Sequence, residues 1–201
     1  MGGKPRLTAL PDGLVRTLDA LATFLARHQG DGAVIGGIAV IACGVPRVTR
    51  DVDIAFTAGR VPMAALVAEL TALGIAPRIP DALIFATASH VLLLRHASSG
   101  VDVDLSFATL PFEHEAIASA DRKVLAGAAL PVARPEDLVI YKAIAWRPQD
   151  QQDVERLLAL HGDRMDLDRI RARVGELSDA LEVDRRSDLD ALIDRVLAAP
   201  R

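Results

Sequence analysis

Position 135 divides the sequence into two kinds of pattern. From Pro135 onward, PEDLVIYKAIAW, QDQQDVERLLALHG, DLDRIRARVGELS and SDLDALIDRVLAA each carry apolar residues at helical spacing, with turn signals between them. Before it, short strand patterns and short helical patterns alternate. A chain written this way predicts an α/β (α+β) fold. A small mixed β-sheet core with helices is expected over residues 1–134, followed by a helical C-terminal lobe over 135–201.

Within the first part, residues 12–29 place Leu14, Leu18, Leu21 and Leu25 on one helical face, closed by Gly30. AVIGG is a short apolar run ending in paired glycines, and IAVIACG reads as a buried helix stopped by Gly44. DVDIAF alternates charged and apolar residues, which predicts a strand. VPMAALVAELTALG predicts a helix with Pro62 near its first turn and Gly74 as its stop. Residues 83–107 are rich in Ile, Val, Leu and Phe, with breaks at Ser89 and at SSG. They predict three strands, 83–87, 91–96 and 101–107, in antiparallel succession. PFEHEAIASA predicts a short helix entered through Pro111, and a strand-like stretch follows around 123–133.

Composition removes several function classes. The chain is 51% hydrophobic and 25% charged, a globular balance, and its aromatic fraction of 3% speaks against a stacking platform for single-stranded nucleic acid. The single cysteine, Cys43, lies in an apolar run and reads as a core filler; one cysteine excludes an internal disulfide. The five histidines show no zinc spacing, and neither G-x-S-x-G nor a Walker A motif occurs. A net charge of −4 offers no concentrated basic face for nucleic acid. No apolar run reaches the roughly 18 residues a membrane span needs. The opening MGGKPRLTALPDG has no leader-like apolar region, so a soluble cytoplasmic protein with no membrane partner is expected.

Asp51 and Asp53 are the sharpest chemical feature. Side chains at i and i+2 of a strand share a face. Two carboxylates so close repel unless one is protonated or a cation lies between them, and Mg²⁺ is the natural hard cation for oxygen donors. An exposed edge strand whose acidic face meets water carries the same pattern. Gly36 and Gly37 end the preceding apolar run where a helix starts, a junction at which backbone N–H groups can face a phosphate. An ordinary tight turn also uses such a pair. GVDVDLSF is a second strand with same-face carboxylates, Asp102 and Asp104. If it neighbours the first, it brings a third carboxylate to the pair, the set that two-metal phosphoryl chemistry uses.

GGIAVIACGVPRVTRDVDIAF resembles the signature of the nucleotidyltransferase superfamily, of DNA-polymerase-β-like fold: G-G/S, a short interval, then D-x-D. GVPRVTRDVDI is further similar to the R-x-T-x-D-h-D element of the AbiEii/AbiGii-type toxin nucleotidyltransferases. So are VDLSF with PFEHEAI, and ARPEDLVIYKAIAWRPQDQQDVERLL. The resemblance covers roughly residues 30–160. It implies transfer of a nucleotide from an NTP to an acceptor hydroxyl, with Mg²⁺ (or Mn²⁺) as cofactor and pyrophosphate as product. The acceptor it implies is tRNA or another RNA, and the setting a toxin–antitoxin or phage-defence system with a cognate antitoxin protein as partner. Carried onto this chain, it implies Asp51, Asp53 and Asp104 as metal and catalytic carboxylates, Asp104 being the third of the set with Asp102 as the alternative. It also implies Gly36 and Gly37 at the triphosphate, Lys142 at a phosphate, and Asp150 in a fourth motif.

Each of these has a plain structural counterpart. Lys142 sits in LVIYKAIAW, apolar nearly all round, where a lysine either snorkels to the surface or points at an anion. A snorkelling Lys142 predicts that folding and nucleotide binding survive Lys142→Met. A Lys142 facing a phosphate predicts weaker nucleotide binding with equal or slightly higher stability, because a desolvated charge is removed. Arg50 and Arg47 flank Thr49 beside the carboxylates; they suit triphosphate oxygens and equally balance charge, while Thr49 fixes the turn. Arg147 reads as a charge answering the dipole at the end of its helix. Asp150 and Asp153 are favourable in a helical first turn without any further role. The acidic composition departs from the basic surface that several toxin members use for RNA. Small-molecule, aminoglycoside-like nucleotidyl transfer is therefore an alternative, and a catalytically silent binding module of the same fold is another.

Overall fold

The computed structural model describes residues 10–57 and 59–198. The chain packs as two units that meet in sequence at Ala133 and Arg134. In the first, helix α1 (Asp12–Arg27) turns Leu14, Leu18, Leu21, Phe24 and Leu25 inward, as the leucine spacing predicts. Strand β1 (Gly32–Ile35) leads directly into α2 (Gly36–Ala42), a helix buried almost throughout. Strand β2 (Asp51–Thr57), helix α3 (Met63–Ala72), strand β3 (Ile75–Pro77), helix α4 (Ala82–Ser89) and strands β4 (Val91–His96) and β5 (Asp102–Ala108) follow. Helix α5 (Pro111–Ala118) and strands β6 (Asp121–Leu125) and β7 (Ala128–Val132) complete the unit.

The strands form one mixed sheet in the order β3-β4-β5-β2-β1-β7-β6. β2 lies at its centre, antiparallel to β1 and parallel to β5. Its burial alternates at the start, with Val52 and Ile54 in the core and the aspartates between them facing out. Full burial of each such Val, Ile or Phe stabilises by about 1.5–3 kcal/mol relative to exposure. The core therefore fixes which way the aspartates point. A one-residue slip would put Asp51 and Asp53 into it.

Two departures from the sequence pattern are instructive. Residues 83–87 are helical, within α4, where the apolar run predicts a strand. Ala82 and Ala86, four apart, are the buried residues of this helix, and ALIFATAS is rich in alanine, the strongest helix former. The stretch around 123–133 is a hairpin rather than a single strand: Ala126 (φ 50°) and Gly127 (φ 93°) both take the left-handed conformation that a tight two-residue turn needs. At the end of β4, His96 is buried with its Nδ1 3.1 Å from Thr17 Oγ1 and 2.9 Å from Ser99 Oγ. Burial, helped by Arg16, holds its pKa below the ordinary histidine value. Cys43 is buried, and burial pushes its thiol up to about 11.

The second unit is helical: α6 (Pro135–Ala145), α7 (Pro148–His161), α8 (Leu167–Ala180) and α9 (Arg186–Leu197). Asp137, 1% exposed, accepts from Arg169 Nη2 at 2.8 Å and ties α6 to α8. Among the described residues no helix is long and apolar enough to cross a membrane.

Candidate active site

The parallel pairing of β2 with β5 sets Asp51 opposite Asp102 and Asp53 opposite Asp104. Register partners in adjacent strands project to the same side, so four carboxylates share one patch of the sheet face. The conditional expectation that strand 101–107 neighbours strand 51–56 is met in the strand pairing. Thr49 Oγ1 donates to Asp51 Oδ1 at 2.7 Å and so orients the first carboxylate rather than only shaping the turn.

The paired glycines lie against this patch. Ile35, the last residue of β1, is the register partner of Asp53, which places Gly36 beside the Asp53 side chain. Gly36 has φ +61°, and a Cβ there would collide with an Asp53 carboxylate oxygen. A Cβ on Gly37 would stand 2.6 Å from Thr49 Oγ1 and 3.0 Å from the Arg47 guanidinium carbon. A side chain at either position would therefore displace polar groups of the patch, Asp53 at Gly36 and Thr49 with Arg47 at Gly37, rather than apolar packing. A cleft of about 380 Å³, lined by Pro11, Leu14, Ile41, Val48, Arg47 and Thr49, opens beside the same loop. Arg50 is exposed at the head of β2.

Two arginines that no sequence motif marks complete the patch. Arg95 Nε donates to Asp102 Oδ1 at 2.6 Å, and its Nη2 to Oδ2 at 3.3 Å. Those hydrogen bonds hold the Asp102 carboxyl below the usual carboxylate range, against a smaller opposing effect of burial. Arg78 Nη1 lies 2.8 Å from Asp104 Oδ1 and 3.6 Å from Asp102 Oδ2. The sequence does hold a faint trace of Arg95: it is the one charge in the apolar strand VLLLRH. Its partner depends on register, which local pattern does not encode.

A metal would find oxygen donors here. Among the described residues no group of three or more His, Cys, Asp or Glu is gathered so as to enclose an ion by itself. Mg²⁺, however, is commonly held by one or two carboxylates together with substrate phosphates and waters. The same-face pair Asp51 and Asp53 fits that mode.

Lys142 and Asp150 lie in the helical unit and meet each other. Lys142, 7% exposed, places Nζ 2.8 Å from Asp150 Oδ1 and 3.2 Å from Asp153 Oδ2, and both aspartates are 1% exposed. Arg147 Nε donates to Asp150 Oδ2 at 2.6 Å, and the Arg147 backbone N–H donates to the same oxygen at 3.2 Å. Arg147 therefore stands at the start of α7, not in the last turn of α6 as its place in sequence implied; α6 already ends at Ala145. Burial pushes the Asp150 pKa up, but the hydrogen bonds from Arg147 and Lys142 outweigh it and hold the carboxyl below its usual range.

A family profile described as Nucleotidyl transferase of unknown function (DUF2204) matches residues 15–186. The solution structure of the antibiotic-resistance factor ANT(2'')-Ia superimposes with a TM-score of 0.57 at 16% identity, covering 86% of this chain and 95% of that one. The crystal structure of ANT(2'')-Ia in complex with adenylyl-2''-tobramycin gives 0.56 at 17% identity, covering 84% and 98%. JHP933 from Helicobacter pylori gives 0.50 at 12% identity, covering 95% and 96%. At these identities the likeness is one of fold. No curated protein sequence matches the chain.

Proposed function

The chain belongs to the family Nucleotidyl transferase of unknown function (DUF2204), and from that premise we propose a divalent-metal-dependent nucleotidyltransferase centred on Asp51, Asp53 and Asp104. The observation that carries this reading is the β2–β5 register, which sets Asp53 beside Asp104, with Gly36 fitted against Asp53. Asp51, oriented by Thr49, and Asp53 would hold Mg²⁺ or Mn²⁺, which would supply positive charge to offset that of the triphosphate oxygens. Asp104 takes the proton of the acceptor hydroxyl. That oxygen bonds to the α-phosphorus as the bond to pyrophosphate breaks in line. Gly36 and Gly37 let the triphosphate approach the backbone, and Arg50 reaches its oxygens. Lys142 and Asp150 hold α6 against α7, the role their mutual ion pair supports.

The acceptor in this reading is RNA, tRNA among the candidates, modified by a cytoplasmic toxin that a cognate antitoxin restrains; the similarity of GVPRVTRDVDI to the AbiEii-type element supports it. The alternative of an aminoglycoside-like acceptor draws on the acidic composition and on shared fold. Incubation with α-³²P-labelled NTPs, Mg²⁺ or Mn²⁺ and total bacterial RNA tests the proposal. Label should enter RNA with the wild type and not with Asp53→Asn. Transfer of label to no acceptor by the wild type, or equal transfer by both proteins, overturns it.

A further inference from the structure

On the outer side of the four carboxylates, the sheet places two arginines that the proposed phosphoryl chemistry does not use. Arg95 is the register partner of Asp102, and Leu93 that of Asp104. Arg78, just past β3, donates its backbone N–H to the Leu93 carbonyl at 3.1 Å and so falls in line with Asp104. The order across the sheet is therefore arginine, carboxylate, metal-pair carboxylate, then the glycine turn. The glycine turn bounds one side of the patch, and the arginines bound the other.

This order has two chemical consequences. Asp102 and Asp104, the carboxylates that a polyamine would seek, already face guanidinium groups at 2.6 and 2.8 Å. Arg95 is 54% exposed and gives Asp102 only part of its five-donor fork. A fork braced by a carboxylate presents its other N–H groups in a fixed orientation, and phosphate oxygens match that planar geometry.

We propose that Arg78 and Arg95 select the acceptor: they favour one carrying a phosphate near the hydroxyl to be modified, and disfavour a polycation. The proposal rests on the nucleotidyl-transfer reading and names the acceptor class of that same site. The phosphate comes either from a nucleic-acid backbone or from a small phosphorylated sugar.

The test titrates a fluorescent single-stranded RNA oligonucleotide, ribose 5-phosphate and tobramycin separately into wild type, Arg95→Gln, Arg95→Lys and Arg78→Gln/Arg95→Gln, with melting curves for each. RNA should bind the wild type and bind Arg95→Gln at least tenfold more weakly, with Arg95→Lys intermediate. Tobramycin should bind the wild type poorly and the double variant better, because Asp102 and Asp104 lose their partners. Binding of ribose 5-phosphate with the same variant dependence assigns a single phosphate as sufficient; RNA binding alone assigns the nucleic-acid source. The proposal is overturned if tobramycin binds the wild type more tightly than RNA does. It is equally overturned if the wild type binds neither phosphate ligand, or binds them no better than the double variant. Each of the four NTPs with Mg²⁺ is titrated alongside, and any that binds the wild type should bind all four proteins alike. Failure of every NTP to bind the wild type counts against nucleotidyl transfer itself, while the phosphate and tobramycin titrations still decide the role of the arginines.

Discussion

The carboxylate of Asp53 lies against the backbone of Gly36, in the volume a side chain at position 36 would fill. Gly36 also has φ +61°, so an alanine there meets two separate penalties. Gly30 isolates one of them: its φ is +81°, but nothing lies within 4 Å of a Cβ built there. Gly30→Ala should lose about 1–2 kcal/mol, the cost of a left-handed L-residue. Gly36→Ala should lose more than that in urea unfolding and should also lose Mn²⁺-dependent stabilisation, because Asp53 must move. Equal losses in the two variants would show that Asp53 gives way without consequence.

The proposed metal binding at Asp51 and Asp53 would have a direct thermal signature. A ligand that binds the native state alone stabilises it by about 2.7 kcal/mol at a hundredfold excess over Kd. Adding Mg²⁺ or Mn²⁺ should therefore raise the melting temperature of the wild type and leave Asp53→Asn nearly unmoved. Thr49→Val, which frees the Asp51 carboxylate from its 2.7 Å hydrogen bond, should fall between them. A metal-dependent rise of the same size in Asp53→Asn would place the ion elsewhere.

Much of this site is legible in the sequence, because the period of a strand is two: any D-x-D in a strand must share a face. The adjacency of Asp53 and Asp104 is partly legible, as a conditional, since a second D-x-D strand needs a neighbour. Arg78 and Arg95 are not legible as partners. Their positions follow from the registers of β3 with β4 and of β4 with β5, which are set by core packing over the whole sheet. In the fold, α1 is plain from its leucine spacing, whereas ALIFATAS is too short for its periodicity to tell helix from strand. Alanine content is the signal that decides it. β3 spans only Ile75–Pro77 and has no pattern of its own.

Lys142 is visible as a buried lysine, but its partners are not, because they lie on the next helix. That changes the expected effect of Lys142→Met. Its removal leaves Asp150 and Asp153, each 1% exposed, without the ammonium that bridges them. Breaking a buried pair by removing one partner costs about 3–5 kcal/mol, so the variant should be clearly destabilised rather than neutral. Arg147 still holds Asp150, which puts the expected loss toward the lower end. Urea unfolding of Lys142→Met checks this, and a loss within the roughly 0.5 kcal/mol of an ordinary surface change would contradict the bridging role.

His96 supplies the pH dependence. Its pKa is lowered in the folded chain, chiefly by burial and further by Arg16, so the native state favours the neutral ring. The unfolded chain, with a histidine near its ordinary value of about 6.5, then binds more protons than the native one as pH falls. Stability from His96 is therefore fully present above about pH 6.5 and is lost as pH falls through that value toward the lowered native pKa. The slope from this one group is at most about 1.36 kcal/mol per pH unit. Thr17 and Ser99 supply hydroxyls that suit the neutral ring and carry no charge to compensate a protonated one. Urea unfolding of wild type and His96→Gln between pH 8 and 5 isolates the effect, since every other titrating group is common to both. The wild type should be the more stable at pH 8, where its buried ring is neutral and hydrogen-bonded, and its advantage should shrink toward pH 5. An advantage that stays constant across the range would mean that His96 takes up its proton equally in the folded and unfolded chain.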